Sequence, residues 1–164
     1  MTIPVKRRVI NRDKLEADIL AVAVGVFAEC GYEGASVATI AENAGLSKQN
    51  LMYYFPTKQA LYERVLDSVL DDWLERMESL ADPLRDPADV LRDYISAKLR
   101  FSREQPLASR VYAMEVIAGA KLYGQQIRER VDADMSRRGM PAEKVLATVV
   151  HLLENTMIGV GNAD

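Results

Sequence analysis

Residues 36–58 read SVATIAENAGLSKQNLMYYFPTK, and their reading decides the fold. Ser36 is placed as the N-cap of a short helix carrying Val37, Ile40, Ala41 and Ala44. Gly45 follows where a sharp turn needs a positive φ. Ser47 is a second N-cap, opening another short helix that runs to Tyr54. Pro56 cannot continue that helix, and Thr57 can cap a third. Leu51 and Phe55 lie four apart and share one face, which the core would cover. Lys48, Gln49, Asn50 and Tyr53 are left facing outward.

Two short helices joined by a glycine turn and packed on a longer one describe a helix-turn-helix. Its outward residues are of the types that read DNA. Gln49 and Asn50 can pair with adenine edges in the major groove, and Lys48 can contact guanine or phosphate. The hydroxyls of Tyr53 and Tyr54 can bind phosphate oxygens and fix the register, and Lys58 can add a backbone phosphate contact. Spacing alone leaves a second reading open: a plain helical hairpin with a polar, solvated face.

Outward from this stretch the chain reads as helix almost throughout, with no strand-like alternation and no repeat. Upstream, Leu15, Ile19, Val22, Val26 and Phe27 give one apolar face to a helix over 13–30, and Gly31 stops it. Downstream, a long fourth helix over 58–80 turns Leu61, Val65, Leu66, Val69 and Trp73 inward. Pro83 and Pro87 break the chain. Helices are expected over 88–103, with Val90, Leu91, Tyr94, Ile95 and Leu99 on the apolar side, and over 107–118, 122–138 and 142–157. The expectation is an all-α protein: an N-terminal three-helix helix-turn-helix domain (1–57) joined by the long fourth helix to a C-terminal helical bundle (58–164). Val145, Val149, Leu152 and Leu153 form an apolar stripe expected to serve as a dimer interface.

Composition narrows the function classes. Half the 164 residues are apolar and 27% are charged, as in ordinary globular chains. No apolar run approaches the ~18 residues of a membrane span, and no secretory signal is expected. Cys30 is the only cysteine and His151 the only histidine, so the sequence offers no metal-ligand cluster and no nucleophile–base pair. No catalytic residue, metal or cofactor is assigned, and the chain is not expected to be an enzyme; a lone cysteine fits a reducing cytoplasm. The net charge of −3 argues against indiscriminate coating of nucleic acid. The charge is uneven, with Lys6, Arg7, Arg8 and Arg12 gathered at one end of an acidic body. Such an end either meets an anion or solubilises a tail.

The segment ASVATIAENAGLSKQNLMYYFPTKQALYERVL, residues 35–66, resembles the N-terminal DNA-binding domain of the TetR family. Its TIAE-type helix, glycine turn, Ser-Lys pair and Tyr-Tyr-Phe exit stand in register. NLMYYFPTKQALY and YISAKLRFSREQPLASRVYAMEVIAGAKLY are further similar to the RutR-like, pyrimidine-utilisation regulators within that family. The resemblance carries the DNA-contacting positions onto Ser36, Thr39, Ser47, Lys48, Gln49, Asn50, Tyr53, Tyr54 and Lys58. Met52 stands where the family often has tyrosine.

The resemblance implies a ligand-responsive repressor in the cytoplasm. It would bind a palindromic double-stranded operator as a homodimer and be released by a small-molecule effector, a pyrimidine or a similar metabolite. It also implies longer chains, so a C-terminus shortened or diverged from the family is expected. Trp73, Tyr94, Met114 and Tyr123 are large side chains on bundle helices, read as core or as pocket wall. Arg110 and Glu115 lie in an apolar helix, where an unpaired charge is costly, so they pair or line a pocket. Trp73, Tyr94, Arg110, Met114 and Glu115 form the candidate ligand-binding set. The alternative to a repressor is a truncated or diverged helical interaction protein without ligand response.

Overall fold

The structure, a computed structural model, describes residues 12–77 and 87–137. Its helices are α1 (Arg12–Gly34), α2 (Val37–Asn43), α3 (Lys48–Tyr54), α4 (Lys58–Met77), α5 (Pro87–Glu104), α6 (Pro106–Ile117) and α7 (Gly124–Arg137). Among the described residues there is no strand, as an all-α reading requires. The expected helix over 142–157, with its stripe and His151, lies outside the described residues, as does the end of the long fourth helix beyond Met77. No described helix is long and apolar enough to cross a membrane.

The first three helices form around the residues that the periodicity singles out. Ile19, Val26 and Phe27 of α1 are buried, with Leu15 and Val22 at the margin. Ile40 and Ala41 of α2, Leu51 of α3 and Phe55 join them in one cluster. Each large apolar side chain so buried contributes roughly 1.5–3 kcal/mol. α1 is broken at Gly31, whose φ of 67° is left-handed, and a short turn to Gly34 follows.

α4 is 20 residues long and so spans about 30 Å. Its buried side, Leu61, Tyr62, Val65, Leu66 and Leu70, belongs to the same core cluster as α1, and Val111 of α6 and Tyr123 extend that cluster. The core is continuous from the helix-turn-helix into the bundle.

α5 departs from the sequence expectation. Ile95 and Leu99 are 47% and 55% exposed, while Phe101 is buried and Tyr94 half-buried. The aromatic contacts set the rotation of the helix. Trp73 packs edge-on against both Tyr94 (5.7 Å between ring centroids) and Phe101 (5.6 Å), seven residues apart on α5. Two turns of aromatic contact outweigh the packing that two aliphatic side chains would gain.

Candidate nucleic-acid interface

The turn between α2 and α3 is closed by hydrogen bonds from the Leu46 N–H to the Ala41 carbonyl (2.8 Å) and from the Gly45 N–H to the Glu42 carbonyl (2.9 Å). This 6→1, 5→2 pair ends a helix only if the residue between adopts a left-handed conformation, and Gly45 does so at φ 69°. The Ser47 Oγ then accepts from the Asn50 N–H at 3.1 Å and opens α3. The Ser36 Oγ accepts from the Ala38 N–H at 3.2 Å and opens α2, and the Thr57 Oγ1 caps α4 by accepting from the Ala60 N–H at 3.0 Å. All three caps stand where the sequence places them. Leu51 and Phe55 anchor α3 from below, so its rotation is fixed.

That rotation exposes Lys48, Gln49 and Asn50 together with the 75%-exposed Tyr53. Ser36, Thr39 and Ser47 are exposed on the same two-helix unit. Tyr54 is half-buried: its ring meets Tyr53 edge-on at 5.5 Å, and the Arg12 guanidinium lies over it at 5.9 Å. Met52 is 40% exposed.

Lys58 is placed differently from the sequence expectation. Its ammonium turns inward and donates to the carbonyls of Tyr32 (2.8 Å), Glu33 (3.3 Å) and Ala35 (3.4 Å), over the Tyr32 ring at 4.5 Å. Those carbonyls end α1 and its following turn, where backbone oxygens carry partial negative charge that a cation satisfies. All three ammonium donors are engaged in capping.

In the bundle, the candidate ligand-binding residues fall into separate places. Trp73 and Tyr94 lie in the aromatic cluster with Phe101, and the half-buried Lys98 caps the Trp73 ring at 4.8 Å. Burial lowers the Lys98 pKa and raises those of Tyr94 and Tyr112, the last to about 12. Arg110 is exposed, and Met114 packs toward the backbone of Gly31. Glu115 is buried and accepts from the Tyr62 hydroxyl (3.2 Å) and from the Leu122 and Tyr123 N–H groups (2.9 and 3.0 Å). No bond joins it to Arg110 among the described residues. The burial cost of its charge is met by three donors instead.

The sequence reading missed the partners of this carboxylate. The backbone carbonyl of Glu115 also accepts from the Ala120 N–H at 2.8 Å, so one residue closes α6 and holds the turn into α7. Tyr123 donates to Asp67, and Arg130 donates to Asp67 (2.8 Å) and to Asp71. Burial and then the Glu115 carboxylate raise the Tyr62 pKa. Burial and then the bond to Asp67 do the same for Tyr123. Burial opposes the Arg130 charge, but its bonds to Tyr123 and Asp71 outweigh that and keep it ionised. Asp67 and Asp71, four apart on α4, were the legible signal, since that spacing puts two carboxylates on one face. Nearby, a polar cleft of about 340 Å³ opens between α4 and α7, lined by Asp71, Leu74, Glu75, Arg130, Ala133, Asp134 and Arg137. None of the candidate ligand-binding residues lines it.

Comparison with known proteins follows the same division. The family profile described as bacterial regulatory proteins, tetR family, matches residues 19–65, and that described as YcdC-like protein, C-terminal region, matches residues 66–147. The two meet within α4. The HTH-type transcriptional regulator RutR of Escherichia coli (strain K12) is 44% identical over 104 residues, 63% of this chain and 49% of RutR. The HTH-type transcriptional repressor NicS of Pseudomonas putida is 28% identical over 89 residues, 54% of this chain and 42% of NicS. Among solved structures, a TetR-like transcriptional regulator from Rhodococcus sp. RHA1 shares the fold at a TM-score of 0.66 and 24% identity, over 77% of this chain and 70% of that one. A transcriptional regulator from Streptomyces coelicolor aligns at a TM-score of 0.59 and 28% identity, over 84% and 76% of the two chains. The chain spans about half the length of the curated relatives it matches.

Proposed function

This chain belongs to the TetR family of bacterial regulatory proteins, and from that premise we propose that it binds double-stranded operator DNA as a homodimer and represses transcription until a small-molecule effector releases it. One observation carries the DNA-binding reading: α3 stands on Leu51 and Phe55 and presents Lys48, Gln49, Asn50 and Tyr53 to solvent. In the major groove, Gln49 and Asn50 read base edges, and Lys48 contacts guanine or phosphate. Ser36, Thr39, Ser47 and the tyrosine hydroxyls hold the flanking phosphates and set the register. One such unit reads few base pairs, so two copies on half-sites about a helical turn or more apart make the operator approximately palindromic. Residues 1–57 do the reading, and 58–164 sense the effector and dimerise. The protein acts in the cytoplasm, where its operator is.

The effector is a small, planar, polar metabolite, a pyrimidine first. It binds beside Trp73 and Tyr94 and releases DNA by preferring a different separation of the two reading heads. A second reading, a helical protein without ligand response, is favoured by the way Trp73 already packs on Tyr94 and Phe101 while Glu115 is fully bonded. Selection of binding sites from a random duplex pool tests the repressor reading, with an approximately palindromic site expected. Calorimetric titration with uracil and thymine separates the two readings: heat together with weakened DNA binding supports release by an effector, and silence across both supports the second.

A further inference from the structure

The DNA-reading head lacks the charge its task requires. Residues 15–58 carry Glu16, Asp18, Glu29, Glu33 and Glu42 against Lys48 and Lys58 alone, a net charge of −3. Lys58 is spent on the carbonyls that end α1, which leaves Lys48 as the one cation on the reading face within that span. Duplex DNA carries one negative charge per ~1.7 Å of axis, and neutralising phosphates supplies much of the affinity of such proteins. A head of net negative charge gains none of that by itself.

The missing charge stands immediately before it. Residues 1–14 hold Lys6, Arg7, Arg8, Arg12 and Lys14 against Asp13. Lys14 is paired with Asp18 at 2.8 Å. Arg12, at the start of α1, lies over the ring of Tyr54, which packs on Tyr53 at the exit of α3. The chain preceding α1 therefore leaves the protein beside the C-terminal end of the recognition helix. At ~3.3–3.6 Å per residue, Arg8 can reach about 13 Å from Arg12 and Lys6 about 20 Å. A major groove is ~12 Å wide, so that reach crosses from a helix seated in the groove to the backbone at its edge.

Resting on the repressor reading above, we propose that Lys6, Arg7 and Arg8 form a phosphate-binding arm, anchored through Arg12 on Tyr54, that supplies the electrostatic part of DNA affinity and leaves sequence choice to α3.

The test uses the full chain and fluorescence anisotropy from 50 to 300 mM KCl, on two ~30-base-pair duplexes: one carrying the site that the chain selects from a random pool, one unrelated. Lys6→Ala/Arg7→Ala/Arg8→Ala should flatten the log Kobs against log[salt] slope by about three per protomer, at ~0.9 per phosphate. Affinity for both duplexes at low salt should fall roughly 10- to 100-fold, with their ratio held within threefold. Arg7→Lys/Arg8→Lys and the control Lys14→Ala should keep the parental slope. The triple variant should keep the parental helical signal and urea midpoint, since its changes precede α1. An unchanged slope in the triple variant overturns the arm, as does a loss confined to the selected duplex or a loss of slope in the Arg→Lys variant. If the chain selects no site, the repressor reading fails, and the slope on the unrelated duplex still decides the arm.

Discussion

Tyr62 of α4 donates its hydroxyl to the buried carboxylate of Glu115 on α6 at 3.2 Å, joining two helices 53 residues apart in sequence. The same carboxylate receives two backbone N–H groups at the entry to α7. Glu115→Ala leaves three buried donors without their acceptor and should cost about 1–3 kcal/mol. Tyr62→Phe removes one donor of the three and should cost less. Urea unfolding followed by circular dichroism measures both; a Glu115→Ala variant as stable as the parent would contradict this role.

Lys58→Met removes the cation from three carbonyls at the end of α1 and should destabilise the fold by about 1–2 kcal/mol. It should leave the salt dependence of DNA binding unchanged, because the ammonium faces the protein. A flattened salt slope with intact stability would restore the sequence reading of Lys58 as a phosphate contact.

Gly31 carries a left-handed φ of 67°, and a Cβ there would meet the Met114 Cε at 3.3 Å. Gly31→Ala should cost about 1–2 kcal/mol from the backbone alone. Adding Met114→Leu relieves the contact but not the strain, so the double variant should recover only part of the loss. Full recovery in thermal unfolding would place the cost in packing instead.

Tyr62, Tyr94, Tyr112 and Tyr123 all have pKa values raised by burial. The unfolded chain releases these protons near the ordinary value of 10.0, whereas folded Tyr112 holds its own to about 12. The stabilisation is complete below pH 10 and is lost as pH rises through the window from 10 to about 12 for Tyr112, with Tyr62 and Tyr123 extending the loss further. Absorbance at 295 nm and circular dichroism should report steep, coupled ionisation and unfolding above pH 10. Independent tyrosine titration at the ordinary value, with the fold intact, would show that these rings are solvated.

The helix-turn-helix was legible because its signals are local. Ser36, Gly45, Ser47, Pro56 and Thr57 each act on the backbone within a few residues of themselves, and the Leu51–Phe55 pair follows from helical spacing alone. Contacts between distant segments were not legible. Lys58 reads as a phosphate contact until the fold brings the end of α1 to it, and the outward turn of Ile95 and Leu99 depends on Trp73 of another helix. Glu115 could be recognised as costly to bury, but its donors, Tyr62 and the turn before α7, could not be named from periodicity. Nothing in the sequence joined Asp67 to Tyr123 and Arg130 either, since 56 and 63 positions separate them.

Whether α3 chooses the sequence is decided most directly by comparing affinities for the selected duplex and an unrelated one. The parent should prefer the selected duplex by ~10³-fold or more. Gln49→Ala and Asn50→Ala should each remove about 1–3 kcal/mol of that preference while leaving affinity for the unrelated duplex in place. Equal preference in the parent and in the Lys48→Ala/Gln49→Ala/Asn50→Ala variant would contradict the account, because the face that α3 presents would then read nothing.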